Sequence, residues 1–147
     1  MTADVAGAFR RGVGHTGFAK SLYAQDWFDS SPERDLAALL DSSAEISYWV
    51  RLLRGDLELA WEGGRYNPDF VAVEADGAHW LVEVKSDKGA RDSEEVGKKR
   101  VAAQRWANVV NASPKLNGVR WRYLLARERD IAQAKGSWAA LVGLGVA

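Results

Sequence analysis

The chain contains no cysteine and only 2 histidines. A disulfide framework is thereby excluded, as are a thiolate nucleophile and a cysteine/histidine zinc cage, so carboxylates are the side chains left to ligate a metal. Proline is scarce too, at 3 residues, and no collagen-like or low-complexity stretch occurs. No uninterrupted apolar run approaches the roughly 20 residues that a membrane helix needs. The start, MTADVAGAFRRGVGHTG, lacks an apolar signal segment, so a cytoplasmic chain with no membrane partner is expected. What is present suits one globular domain: 147 residues, 47% hydrophobic and 27% charged, enough to bury a core without staples.

Lysine plus arginine number 20 and aspartate plus glutamate 20, and a zero net charge says nothing about a polyanionic partner. The distribution says more. Residues 1–97 carry 10 basic and 18 acidic side chains, whereas residues 98–147 carry 10 and 2. A face that neutralises phosphates is expected from Lys98, Arg100, Arg105, Arg120 and Arg122, with Lys115 nearby. Ordinary solvated helix faces are the plainer alternative.

Along the chain, residues 1–30 are rich in glycine and small residues without a firm period, and read as a flexible leader or linker before a domain over 31–147. Ser31-Pro32-Glu33 opens a helix with a cap, a proline suited to the first turn and an apolar stripe at Leu36, Leu39 and Leu40; it ends near Asp41-Ser42-Ser43. Ile46, Tyr48, Val50 and Leu52 alternate with Ser47, Trp49 and Arg51, and Leu57, Leu59 and Trp61 repeat the pattern, which predicts a first hairpin. A second hairpin joins 69–75 to 79–85 through Asp76-Gly77. Helical spacing runs from Ser93 to about Asn111, a strand follows over 119–126, and Ile131, Trp138 and Leu141 mark a C-terminal helix. The fold class is mixed α/β (α+β), with a central mixed sheet flanked by helices.

The chemistry concentrates in Pro68-Asp69, thirteen residues, then Glu83-Val84-Lys85. Residues two apart on a strand share a face, so Glu83 and Lys85 lie with Leu81 while Trp80, Val82 and Val84 fill the other side. The Asp-Gly turn folds Asp69 back to the same end as Glu83. Two acids brought together lose hydration and repel unless a cation lies between them. A divalent ion such as Mg²⁺ or Mn²⁺ prefers oxygen ligands and is held by few of them, here Asp69 and Glu83 with the Val84 carbonyl as a third. Lys85 would orient or help deprotonate an attacking water and neutralise charge on a phosphate. The alternative is a turn-organising Asp69 beside an ordinary Glu83–Lys85 surface pair.

This spacing resembles the signature of the PD-(D/E)XK nuclease superfamily. Ser31-Pro32-Glu33-Arg34, Tyr66-Asn67-Pro68-Asp69-Phe70-Val71 and Lys99-Arg100-Val101-Ala102-Ala103-Gln104-Arg105-Trp106 are similar to the C-terminal nuclease domain of type III restriction enzymes, over residues 21 to 126 or so. The resemblance implies a restriction-endonuclease-like core and a metal-dependent DNA endonuclease of a restriction or phage-defence system. It also implies a helicase or ATPase domain or subunit as partner, although this chain has no phosphate-cradling Gly-X4-Gly-Lys-Ser/Thr loop. Glu33 and Lys99 would complete the site by the same resemblance. Glu33 also suits the helix dipole whether or not it meets a metal, and Lys98 and Arg100 flank Lys99, which shares a helix face with Ala102, Ala103 and Trp106. A non-catalytic nucleic-acid-binding or docking module, or a repair or junction-resolving nuclease, are the alternatives. Gly12-Val13-Gly14-His15-Thr16-Gly17 matches a dinucleotide-binding pattern in letters only, since no apolar strand precedes it and no βαβ unit follows.

Overall fold

Helix α1 (Ser31–Ser42) shows how closely local chemistry specifies this chain. Ser30 takes the cap, one residue earlier than expected, its Oγ accepting from the Glu33 N–H at 3.4 Å. Pro32 falls in the first turn, where its missing N–H costs nothing. Leu36, Leu39 and Leu40 are buried, and the helix stops at Ser43, whose N–H returns to the Leu39 carbonyl. The computed structural model describes residues 2–4, 8–86, 93–113 and 119–145. Lys115 lies outside them.

The remaining elements are β1 (Thr2–Asp4), β2 (Gly14–Thr16), β3 (Ile46–Arg51), β4 (Leu59–Trp61), β5 (Gly64–Tyr66), β6 (Phe70–Glu74), β7 (His79–Lys85), α2 (Ser93–Asn111), β8 (Trp121–Arg127), α3 (Glu128–Ala134) and α4 (Trp138–Leu144). A four-stranded sheet runs β3-β6-β7-β8. Its first three strands are antiparallel, and β8 joins parallel to β7 after the crossover through α2. This is the expected mixed α/β class.

The first predicted hairpin does not form. Strand β3 pairs with β6, and β4 folds instead onto β5, with Trp61 opposite Gly64 across the two-residue turn Glu62-Gly63. A glycine-rich turn closes these neighbours at little entropic cost, while the Leu53–Asp56 turn carries the chain out of the main sheet. The alternation in β3 is also displaced. A bulge between Ile46 and Tyr48 adds one residue, so Trp49 and Arg51 turn inward and Tyr48 outward.

Much of the expected leader is built into the domain. Lys20 and Leu22 bond the Trp49 backbone on the open edge of β3, and Asp41 accepts from the Ala19 and Lys20 N–H groups. Phe28 is buried against Phe70, and Phe18 meets Trp49 edge-on at 5.1 Å. Aromatic burial and an unpaired strand edge supply the driving force that glycine content concealed.

Two apolar layers sandwich the sheet. On the side of α1, α3 and α4 cluster Trp49, Phe70, Trp80, Val82 and Leu124 with Trp138 of α4; on the side of α2 cluster Leu59, Leu81, Tyr123 and Leu125 with Ala103 of α2. Glu74 ties the first layer together, its Oε1 accepting from the indole N–H groups of Trp80 at 3.0 Å and Trp138 at 2.8 Å. Glu74→Ala strands both donors in the core and is expected to lower stability by about 2 kcal/mol in denaturant titration. No helix among the described residues is long and apolar enough to cross a membrane.

Candidate active site

The β6–β7 register pairs Phe70 with Val82, so Asp69 and Glu83 stand one residue further on, at the same end of the hairpin and on the face toward α2. Asp69 is anchored on both sides. Its carbonyl accepts from Leu52 N–H at 2.9 Å and from Arg51 Nη1 at 3.2 Å, and its Oδ2 accepts from Val84 N–H at 2.8 Å. Glu83 is buried, 4% exposed.

Burial, and then the charge of Asp69, push the Glu83 carboxyl up to about 7, against the pull of Lys85 and Lys99. Burial raises Asp69 also, offset by the Val84 hydrogen bond and by Arg51 and Lys85. The Tyr66 and Tyr123 hydroxyls are raised by burial and by both acids, so they remain protonated donors. Two enclosed acids that repel one another, with no ion pair to either among the described residues, form a setting a hard cation would relieve. Among those residues no group of three or more His, Cys, Asp or Glu is arranged to hold a metal. The protein offers a two-carboxylate set, and main-chain oxygens or water would fill the remaining positions.

Lys85 ends β7 half-buried, and its charge is felt at Glu83, Asp69 and Glu95. Of the three neighbouring cations on α2, Lys99 faces the acids. Its Nζ lies 2.8 Å from Glu95 Oε1, 5.0 Å from the Trp61 ring centre and 5.5 Å from that of Tyr66. The Tyr66 hydroxyl donates to the Lys99 carbonyl at 2.8 Å, fixing that turn of helix. Lys98 is turned to the flank, paired with Glu62 at 3.3 Å and Glu94 at 3.4 Å.

Glu33 approaches from the α1 side and is already engaged. Its Oε2 accepts from Asp29 N–H at 2.7 Å, and its Oε1 lies 3.5 Å from Arg51 Nη2. Burial raises its pKa, Arg51 lowers it, and Asp69 is near enough to raise it again. Arg51 thus links Glu33 to the acid pair, a role hidden in the sequence because the bulge at the start of β3 reverses which residues point inward. Tyr66 stood inside the motif, but only burial beside the acids marks it as part of the site.

The other expected cations separate. Arg100 and Arg105 stay on α2, on the acid side of the sheet. Arg122 pairs in register with Trp80, three residues or roughly 10 Å of strand from the Glu83–Leu125 pair. Its guanidinium sits 4.3 Å from the Trp80 ring centre, on the opposite face. Arg120 lies further still, by the Asp76–Ala78 turn and Asn111.

A mixed sheet between helices, with acids and a lysine at the end of its central hairpin, is consistent with a restriction-endonuclease-like core. The model of the endonuclease-domain family (RE_endonuc, Endonuclease domain) matches residues 19–123, from the strip on the β3 edge into β8. The chain belongs to this family. No curated protein and no solved structure matches it.

Proposed function

We propose that this domain is a Mg²⁺- or Mn²⁺-dependent DNA endonuclease of the PD-(D/E)XK type, akin to the nuclease domain of type III restriction enzymes. The observation that carries the reading is the meeting of Asp69, Glu83 and the Lys85 charge on one face at one end of the β6–β7 hairpin. Asp69 and Glu83, with the Val84 carbonyl, would hold the ion. Bound there, it would supply Lewis-acid stabilisation of the phosphate and a more acidic water. Lys85 orients the attacking water and offsets charge on the phosphate oxygens. Lys99, braced by Glu95 and Tyr66, adds positive charge beside Glu83. Glu33 acts through Arg51, which also bonds the Asp69 carbonyl. The domain would work in the cytoplasm in restriction or phage defence, with a helicase or ATPase domain or subunit supplying any motor. The engaged state of Glu33 favours a second reading, a non-catalytic DNA-binding or docking module.

Nicking of supercoiled plasmid separates the two. Nicked and linear DNA are expected with Mg²⁺ and none with EDTA. Equal nicking in both would remove the metal from the mechanism, and no nicking in either would favour the module.

A further inference from the structure

An open groove of about 750 Å³ runs between α2 and the β4–β5 hairpin, lined by Trp61 and Glu62 on one side and Lys98, Arg100, Val101 and Arg105 on the other. Its cations are not equivalent. Lys98 is paired with Glu62 and Glu94. Neither Arg100 nor Arg105 has a carboxylate within ion-pairing distance among the described residues, and the Arg100 Nε is buried with no hydrogen-bond partner. A buried donor left unmade is costly, and planar guanidinium forks match phosphate oxygens. Trp61 and the exposed Val101 add apolar surface for sugars or bases to cover.

The groove joins the acid pair through one side chain. Lys99, whose charge reaches Glu83, stacks on the same Trp61 ring that walls the groove. Arg105 lies six residues beyond Lys99, about 9 Å of helix rise. That matches the rise of two to three nucleotides of a B-form strand, at about 3.4 Å each. Arg120 and Arg122 have no such continuity, since one sits at the far end of the sheet and the other covers Trp80 on its opposite face.

We propose that this groove is the track of the DNA backbone leading away from the acid pair, with Arg100 and Arg105 making the phosphate contacts and Arg120 and Arg122 making none. The proposal rests on the nuclease reading above, but binding tests it independently of cleavage. Anisotropy of a short fluorescein-labelled duplex is followed in EDTA between about 50 and 200 mM salt. Arg100→Gln/Arg105→Gln is expected to weaken binding at least tenfold and to flatten the slope of log affinity against log salt by about 1.8, two phosphates' worth. Arg100→Lys/Arg105→Lys keeps the charge and hence most of the slope. Arg120→Gln/Arg122→Gln keeps the wild-type slope. Should the double glutamine variant fail to fold, the exposed Arg105→Gln alone flattens the slope by about 0.9.

A folded Arg100→Gln/Arg105→Gln protein with the wild-type slope overturns the track, as does a loss that appears in Arg120→Gln/Arg122→Gln instead. Tighter binding of a poly-glutamate peptide than of the duplex also overturns it, in favour of an acidic protein segment. Arginine-dependent binding by a protein that never nicks DNA in Mg²⁺ would keep the track and remove the nuclease reading. Metal-dependent nicking with a salt slope indifferent to both arginines would do the reverse.

Discussion

Asp69→Asn should lower DNA cleavage by about a thousandfold or more at fixed Mg²⁺, a loss of about 4 kcal/mol of transition-state stabilisation. The fold should survive it. The amide oxygen of Asn can still accept the Val84 N–H, and the main-chain bonds of Asp69 to Leu52 and Arg51 do not involve the side chain lost. What disappears is one of two negative charges needed to bind a hard cation. Without metal that charge is a burden, because burial raises the Asp69 pKa and its charge in turn raises that of Glu83. Asp69→Asn should therefore melt higher than wild type in EDTA and gain less from added Mg²⁺, by the mass-action rule that a ligand stabilises only the state that binds it. Plasmid nicking and thermal melts, each with and without Mg²⁺, check both halves. Cleavage by Asp69→Asn at the wild-type rate would end the assignment.

The pH dependence of stability is the second large effect. In the metal-free fold the Glu83 carboxyl titrates near 7, against an ordinary 4.5, chiefly because it is buried. Between those values the folded chain retains a proton that the unfolded chain has released, so stability falls as pH rises through the interval and levels off above it. A displacement of that size is worth about 3 kcal/mol. Asp26, Glu33, Asp35 and Asp69 are raised in the same direction, so wild type alone does not isolate Glu83. Glu83→Gln does. Denaturant titration in EDTA should find wild type markedly less stable at pH 8 than at pH 5, and Glu83→Gln should shrink that difference by the share that Glu83 contributes. Mg²⁺ at pH 8 should recover part of it in wild type and little in the variant. A Glu83→Gln protein with the full wild-type pH dependence would show that Glu83 is not enclosed beside a second acid.

Several of these features could be read before any coordinates. The start of α1 follows from a serine, a proline and three leucines within ten residues, all local interactions. The β6–β7 hairpin follows from Asp76-Gly77 between two apolar runs. Alternation along 79–85 then assigns Glu83 and Leu81 to one face and Trp80, Val82 and Val84 to the other, as the two core layers have them. The acid pair was therefore visible as a juxtaposition, because strand period and a tight turn both act over a few residues.

Other features depend on partners far away in sequence. A single bulged residue inverts the inward face of β3, so Arg51, which the plain alternation places with the polar residues, becomes the buried cation shared by Asp29, Glu33 and the Asp69 carbonyl. The glycine-rich first thirty residues conceal Phe18 and Phe28, whose burial depends on Trp49 and Phe70. The choice between Lys98 and Lys99 turned on where the β4–β5 hairpin docks against α2, since Trp61 and Tyr66 meet one and Glu62 the other.

Taken alone, the sequence determined the helix cap, the central hairpin and the side of the sheet on which Asp69 and Glu83 lie. Only the tertiary structure decided which strand flanks β6, which lysine faces the acids, and which arginines share their side. The physical reason is range: turns, caps and alternation are settled by neighbours along the chain, whereas strand partners and charge environments are settled by packing among residues that the sequence keeps far apart.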